Sequence, residues 1–316
     1  FIILISVVVF IHEYGHYYFA KKYKVGVTDF SIGFGKELFG FNDKDGTRWK
    51  ICAIPLGGYV KFFGDSNSAS QPSSLSSVDQ KDHSKLLITK PLYQRAVIVS
   101  AGPIANFILA IFIFSTIFMT VGKDVTMPVI NEVQKNSPAA VAGLKSRDQI
   151  THIDDKEIKS INDVALFIST SEGDTVKVEV LRSKKPLSFI IQPEVKLTKD
   201  NFGNNIKRKL IGIKIAPLQG ELKRERVCPA QALVLSVKET YNTISMTLSY
   251  IGKMIIGQES TDKLGGPIKI AQISGKVAEH GLIPFLSIMA YISISLGLIN
   301  LFPIPLLDGV IYSFIL

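Results

Sequence analysis

The sequence predicts an α-helical integral membrane protein that carries a small membrane-proximal β-sheet and one inserted α+β domain. Three observations predict it. Apolar runs at 1–20, 96–121 and 283–307 are each long enough to cross about 30 Å of hydrocarbon. Short β-type runs fill the interval between the first two. A longer mixed stretch, about 125–215, separates the second from the third. Hydrophobic residues make up 47% of the 316 residues, and charged residues 20%. That is too apolar for an ordinary soluble enzyme and too charged for a chain buried wholly in lipid.

The elements follow in order. Residues 1–24 form the first transmembrane helix. The chain begins with Phe, without a basic leader or a small-residue cleavage site, so the run is expected to be a shortened helix rather than a signal peptide. Residues 25–94 form a loop. In it "VTDFSIGFG", "RWKICAI" and "YVKFF" are separated by the turns "NDKDG" and "PLGG", which reads as membrane-proximal β-hairpins. Within the same loop, residues 66–84, "SNSASQPSSLSSVDQKDHS", have no apolar period and are expected to be flexible. Residues 95–121 form the second transmembrane helix. Between 125 and 215 the strands "VKVEVLR" and "LSFIIQP" accompany a helix near "INDVALFIST", enough for one small domain. Residues 216–282 hold a linker and an amphipathic helix over 234–257. Lys238, Glu239 and Lys253 favour placing that helix on the membrane surface over a fourth span. Residues 283–316 are the third transmembrane helix; they end inside "GVIYSFIL", and the sequence is expected to be a fragment at both termini.

Charge sets the expected orientation. Lys21, Lys22, Lys24, Lys36, Lys81, Lys85, Lys90 and Arg95 flank the first loop, which should therefore be cytoplasmic. The net charge is +9, but the basic residues are interspersed with acids and do not cluster with aromatics, which argues against nucleic acid. Cys52 and Cys228 fall in loops on opposite sides of the membrane, so no disulfide joins them.

The chemistry sits in "FIHEYGHYYFA", residues 10–20. Residues four apart share a helix face, so His12 and His16 can present imidazole nitrogens to one ion, with Glu13 beside it to take a proton from water. Ionisable groups cost about 2.5–3.5 kcal/mol each at the centre of a membrane helix. Three together therefore point to a zinc site, against the alternative of polar residues satisfied by neighbouring helices. A catalytic zinc needs a third ligand. Lys22 stands where a metzincin has its third histidine. Glu37 lies across strand and Gly turn from His16, and reads as a solvated loop acid. Asp308, in "NLFPIPLLDG", places a carboxylate in the third apolar span and is the expected third ligand; capping a helix is its structural alternative. Pro303 and Pro305 break the helix at membrane depth, which is tolerated where the backbone faces a cavity. Asn300 either bonds a substrate carbonyl or packs helices. Gly33, Gly35, Gly57 and Gly58 either admit a substrate strand at the sheet edge or serve ordinary turns.

These motifs resemble the site-2 protease family, in the bacterial branch that includes the regulator-of-sigma-E protease. The resemblance rests on "HEYGH", "PLGGYVKFFG", "GPIANFILA", "LGGPIKIAQ" and "LGLINLFPIPLLDG", in that order along nearly the whole chain. It implies a membrane-embedded zinc protease in the bacterial inner membrane that cuts transmembrane segments of single-span proteins, of the anti-sigma-factor or remnant-signal-peptide type. By matched position it gives His12, His16 and Asp308 as zinc ligands and Glu13 as base. "SPAAVAGLKSRDQITHI", 137–153, resembles the core of a bacterial PDZ domain, expected outside the cytoplasm. One such domain is found where the better-known member has two, and "LDGV" stands where the family shows "LDGGH". Two rivals remain at this level. One is a membrane-tethered PDZ adaptor with an inactive zinc site; the other is a membrane zinc protease for prenylated or soluble peptides.

Overall fold

The structure, a computed structural model, describes residues 1–65, 80–124, 128–158, 161–171, 173–199, 205–217, 224–257 and 266–302. The chain begins with α1 (Ile2–Lys22), β1 (Val27–Asn42) and β2 (Arg48–Phe62), then two 3-10 turns, then α2 (Leu92–Val121). Next come β3 (Lys123–Asp124), β4 (Pro128–Val133), α3 (Pro138–Ala142), β5 (Gln149–Ile153), β6 (Lys156–Glu157) and α4 (Ile161–Thr170). The strands β7 (Val176–Arg182), β8 (Lys185–Ile191), β9 (Glu194–Lys199), β10 (Asn205–Leu210), β11 (Ile213–Pro217) and β12 (Arg224–Glu225) follow. The helices α5 (Pro229–Ile255), α6 (Pro267–Glu279) and α7 (Leu282–Asn300) close the described chain. Two compact units result: Phe1–Ile117 with Cys228–Leu316, and Phe118–Val227.

In the first unit α1, α2 and α7 are long and apolar enough to cross a membrane. Their outer faces expose Ile2, Ile3, Ile104, Ile108, Phe112 and Ile299, which suits a lipid solvent. Inward, small residues let the backbones touch. A Cβ on Gly15 would lie 2.4 Å from the Ala101 carbonyl oxygen, and one on Gly297 3.0 Å from that of Pro103.

β1 and β2 are longer than the short strands expected, and each is bent back on itself. Asp29 faces both Lys61 and Arg48, Ser31 both Tyr59 and Lys50, and Ile32 both Gly58 and Ile51. Farther along, Glu37, Phe39 and Phe41 face Cys52, Ile51 and Trp49. Residues 27–32 therefore lie between 58–62 and 48–51, with 37–42 beyond. Gly33 (φ 89°), Gly35 (φ 85°) and Gly57 (φ 138°) permit the bends, because these backbone angles strain any residue with a Cβ. The "PLGG" stretch, expected as a turn between separate strands, is thus a bend inside β2. Phe30, Val60, Phe62, Val27 and Ala20 bury the sheet against α1, and Phe30 stacks on Trp49 at 4.2 Å.

The interval 216–282 holds two helices, α5 and α6, where one was expected. α5 runs Pro229–Ile255, earlier than the predicted 234–257, and is not among the helices apolar enough to span. It packs on the bundle through Ala232, Ser236 and Thr240, one helical turn apart and all buried. The Ser236 and Ser115 hydroxyls are 2.7 Å apart, and the Tyr291 hydroxyl donates to Glu239 Oε1 at 3.1 Å. Cys52 is buried and Cys228 exposed, both as free thiols.

The second unit starts before and ends after the predicted 125–215, because β3 and β12 pair at its base. Its main sheet is antiparallel in the order β11-β4-β5-β7-β8, with β6 beside β5. The alternation in "VKVEVLR" sends Val176, Val178 and Val180 into a core with Ile130, Ile150, Ile153 and Val164. Ser137 caps α3, accepting from the Ala140 N–H, and Gly143 ends it in the left-handed conformation (φ 92°). Asp148 is fully buried and takes two hydrogen bonds of 2.7 Å from the Arg182 guanidinium, plus one from the Lys145 N–H.

Candidate metal centre

His12 and His16 lie one turn apart on α1 and are 3% and 6% exposed. Their Nε2 atoms are 3.3 Å apart. Two nitrogens each about 2.0–2.1 Å from one tetrahedral zinc would be separated by about 3.3–3.4 Å. The pair therefore already has the spacing of two corners of a zinc tetrahedron.

α2 holds the rings in that pose. His16 Nδ1 donates to the Ile98 carbonyl at 2.8 Å, which leaves Nε2 with the lone pair. Pro103 has no N–H to give the turn below it, so α2 is locally weakened beside that carbonyl. Gly102 supplies the space. A Cβ there would lie 2.2 Å from His16 Nε2 and 2.9 Å from His12 Cε1. Asn106 Nδ2 is 3.1 Å from His12 Nδ1, and Asn300 Nδ2, from α7, is 3.0 Å from His12 Nε2.

Glu13, on the same helix, lies against the sheet: a Cβ on Gly58 would come 3.2 Å from Glu13 Cγ and 2.7 Å from the Ser31 carbonyl. The far end of the hairpin is fixed by Asp43. Burial pushes the Asp43 carboxyl up, but hydrogen bonds from the Tyr17 hydroxyl, the Thr47 N–H and the Trp49 indole outweigh it and hold it at about 2. Tyr17 adjoins His16, so this ionised anchor ties the sheet to the histidine turn of α1.

Of the residues expected at the site, the structure brings together His12, His16 and Asn300, with Glu13 at its sheet-facing side. Glu37 pairs with Arg48 on the sheet, in keeping with a loop acid. Gly33 and Gly35 make the bend in β1, and a Cβ on Gly33 would press on the Ile54 carbonyl at 2.7 Å. Asp308, Pro303 and Pro305 lie outside the described residues, and among the described residues no third His, Cys, Asp or Glu completes a cluster with the two histidines. Reasoning from sequence missed Asn106, Gly102, Gly15 and the Ile98 carbonyl. The available signal was "GPIAN" itself, a proline and an amide inside an apolar helix.

Compared with known proteins, residues 1–314 match the profile of Peptidase family M50. A protein of Agrobacterium fabrum named a zinc metalloprotease is 42% identical over 98% of this chain and 82% of its own length. One of Rickettsia conorii, similarly named, is 38% identical over 100% and 87%. Metalloprotease MmpA of Caulobacter vibrioides is 32% identical over 97% and 82%. Among solved structures, the PDZ domain of an SdrC-like protein from Listeria innocua is 28% identical, covering 28% of this chain and 92% of its own, with a TM-score of 0.23. The chain belongs to peptidase family M50, the membrane-embedded site-2 proteases. It is a zinc metalloprotease.

Proposed function

We propose that this metalloprotease hydrolyses peptide bonds inside transmembrane segments of single-span membrane proteins. The observation that carries the reading is the convergence of two buried imidazole Nε2 atoms at 3.3 Å, between helices long and apolar enough to span a bilayer. His12 and His16 would hold zinc, with Asp308 as the third ligand. A zinc ion there supplies Lewis acidity and brings the pKa of water to about 7. Glu13 takes the proton from that water and returns it to the departing amide nitrogen. Asn300, with its NH2 3.0 Å from His12, donates to the scissile carbonyl oxygen.

A helical substrate must unwind before its carbonyls can be reached. Residues 27–32 are interior to the sheet, whereas among the described residues 58–62 pair on one side only and adjoin Glu13 through Gly58, so an extended substrate adds at 58–62. Gly33 and Gly35 contribute by bending the sheet, and Pro303 and Pro305 enter as substrate-binding residues on their sequence pattern alone. The membrane is the bacterial cytoplasmic membrane, and the substrates are of the anti-sigma-factor or remnant-signal-peptide type. The lysine-rich first loop faces the cytoplasm, and residues 125–215 form a PDZ domain outside it. The antiparallel sheet with two helices and the Gly143-ended α3 support that domain reading.

The test is a purified single-span substrate reconstituted with the protein in vesicles, with fragments sized by mass spectrometry. We expect cut sites at membrane depth that vanish in Glu13→Gln. Cuts confined to the substrate's soluble arms would overturn the intramembrane reading.

A further inference from the structure

We propose that Asn106 is a positioning residue for His12, its side-chain oxygen accepting from the ring's Nδ1–H so that Nε2 is left bare toward the metal. The inference rests on the reading of His12 as a ligand and adds a residue that this reading does not require. Asn106 is fully buried in the middle of α2, where an amide is costly unless it is bonded.

The amide nitrogens of Asn106 and Asn300 lie 3.1 and 3.0 Å from the two nitrogens of the His12 ring. A neutral imidazole has one donor and one acceptor, so it cannot accept from both. Meanwhile Asn106 Oδ1 is buried without a hydrogen-bond partner. A half-turn of the Asn106 amide answers both facts: Oδ1 takes the Nδ1–H, and Nε2 keeps its lone pair. Turning Asn300 instead would put the proton on Nε2, where it blocks metal binding, and would leave Asn106 Oδ1 still unpaired. The place of Asn106 is itself fixed, because the Ser293 hydroxyl of α7 donates to its carbonyl at 2.8 Å. α2 then treats the two histidines alike. The Ile98 carbonyl holds Nδ1 of His16, the Asn106 side chain holds Nδ1 of His12, and the two Nε2 atoms face each other.

The test titrates zinc into the metal-free full chain in detergent. Asn106→Leu removes the acceptor and is expected to weaken zinc about 10–100-fold, the usual effect of losing such a partner, while Asn106→Asp stays within about threefold of wild type. In wild-type protein with 15N-labelled histidine, NMR of the zinc form should show His12 protonated at Nδ1 and metal-bound at Nε2. That measurement does not depend on whether a variant folds. Wild-type affinity in Asn106→Leu, equal weakening in Asn106→Asp, or a proton on His12 Nε2 overturns the proposal. His12→Ala separates the two claims. If it binds zinc like wild type, the metal-site reading fails; if it loses zinc while Asn106→Leu does not, only the role of Asn106 fails.

Discussion

At the scale of single residues, the site is built as much by what is missing as by what is present. Gly102 lies against both imidazoles, and any side chain there would press on His16 Nε2 and on the Cε1 atoms of both rings. The His16 ring cannot simply swing away, because the Ile98 carbonyl holds its other nitrogen. Gly102→Ala should therefore lower zinc affinity at least about tenfold, comparable to losing a residue that orients a ligand, while the helices still form. Competition titration against a chelator reads this, and unchanged affinity would mean that the rings have a second arrangement. The histidine pair was legible in the sequence because i and i+4 share a helix face. Gly102 and Asn106 showed in the sequence only as an unusual "GPIAN" in an apolar run, and their meeting with His12 and His16 was not legible, since it arises through packing of helices some ninety residues apart in the chain.

At the scale of elements, the bent pair β1–β2 and the buried ion pair of the second unit do different work. The bends of β1 and β2 bring Gly58 onto Glu13, and they depend on left-handed backbone at three glycines. Alternation revealed strands there but could not reveal the register, because one run of residues faces two partners. In the second unit, Asp148 between β4 and β5 is a stability element. Burial alone would raise its carboxyl, but the Arg182 guanidinium and the Lys145 N–H outweigh that and hold it below the ordinary range. A carboxyl lowered on folding contributes stability in full above its unfolded value, near 3.9, and loses it as pH falls toward the lower folded value. Resistance of residues 118–227 to pulse proteolysis in denaturant should therefore drop progressively as pH falls below about 5. Asp148→Asn should be less resistant at pH 7 and show a shallower drop. An equally steep drop in the variant would remove Asp148 as a cause.

At the scale of the whole molecule, one unit carries the metal centre between candidate membrane helices, and the second is inserted in sequence between α2 and α5. The three apolar spans were legible because about twenty apolar residues have few other uses. The start of α5 was marked in the sequence by Pro229 at its first position, a signal that the apolar period beginning at 234 hid, whereas the outer limits of the inserted unit were not legible, since they follow from the short β3–β12 pairing. The central claim is that His12, Glu13 and His16 make a zinc-dependent proteolytic centre in which Glu13 moves the proton and does not hold the metal. The most direct measurement counts zinc and cleaved single-span substrate in the same vesicles, wild type beside Glu13→Gln. The account predicts one zinc per chain in both, with cleavage by the variant reduced by about 10²-fold or more, as expected for loss of a general base. Zinc lost together with activity, or activity kept, would contradict it.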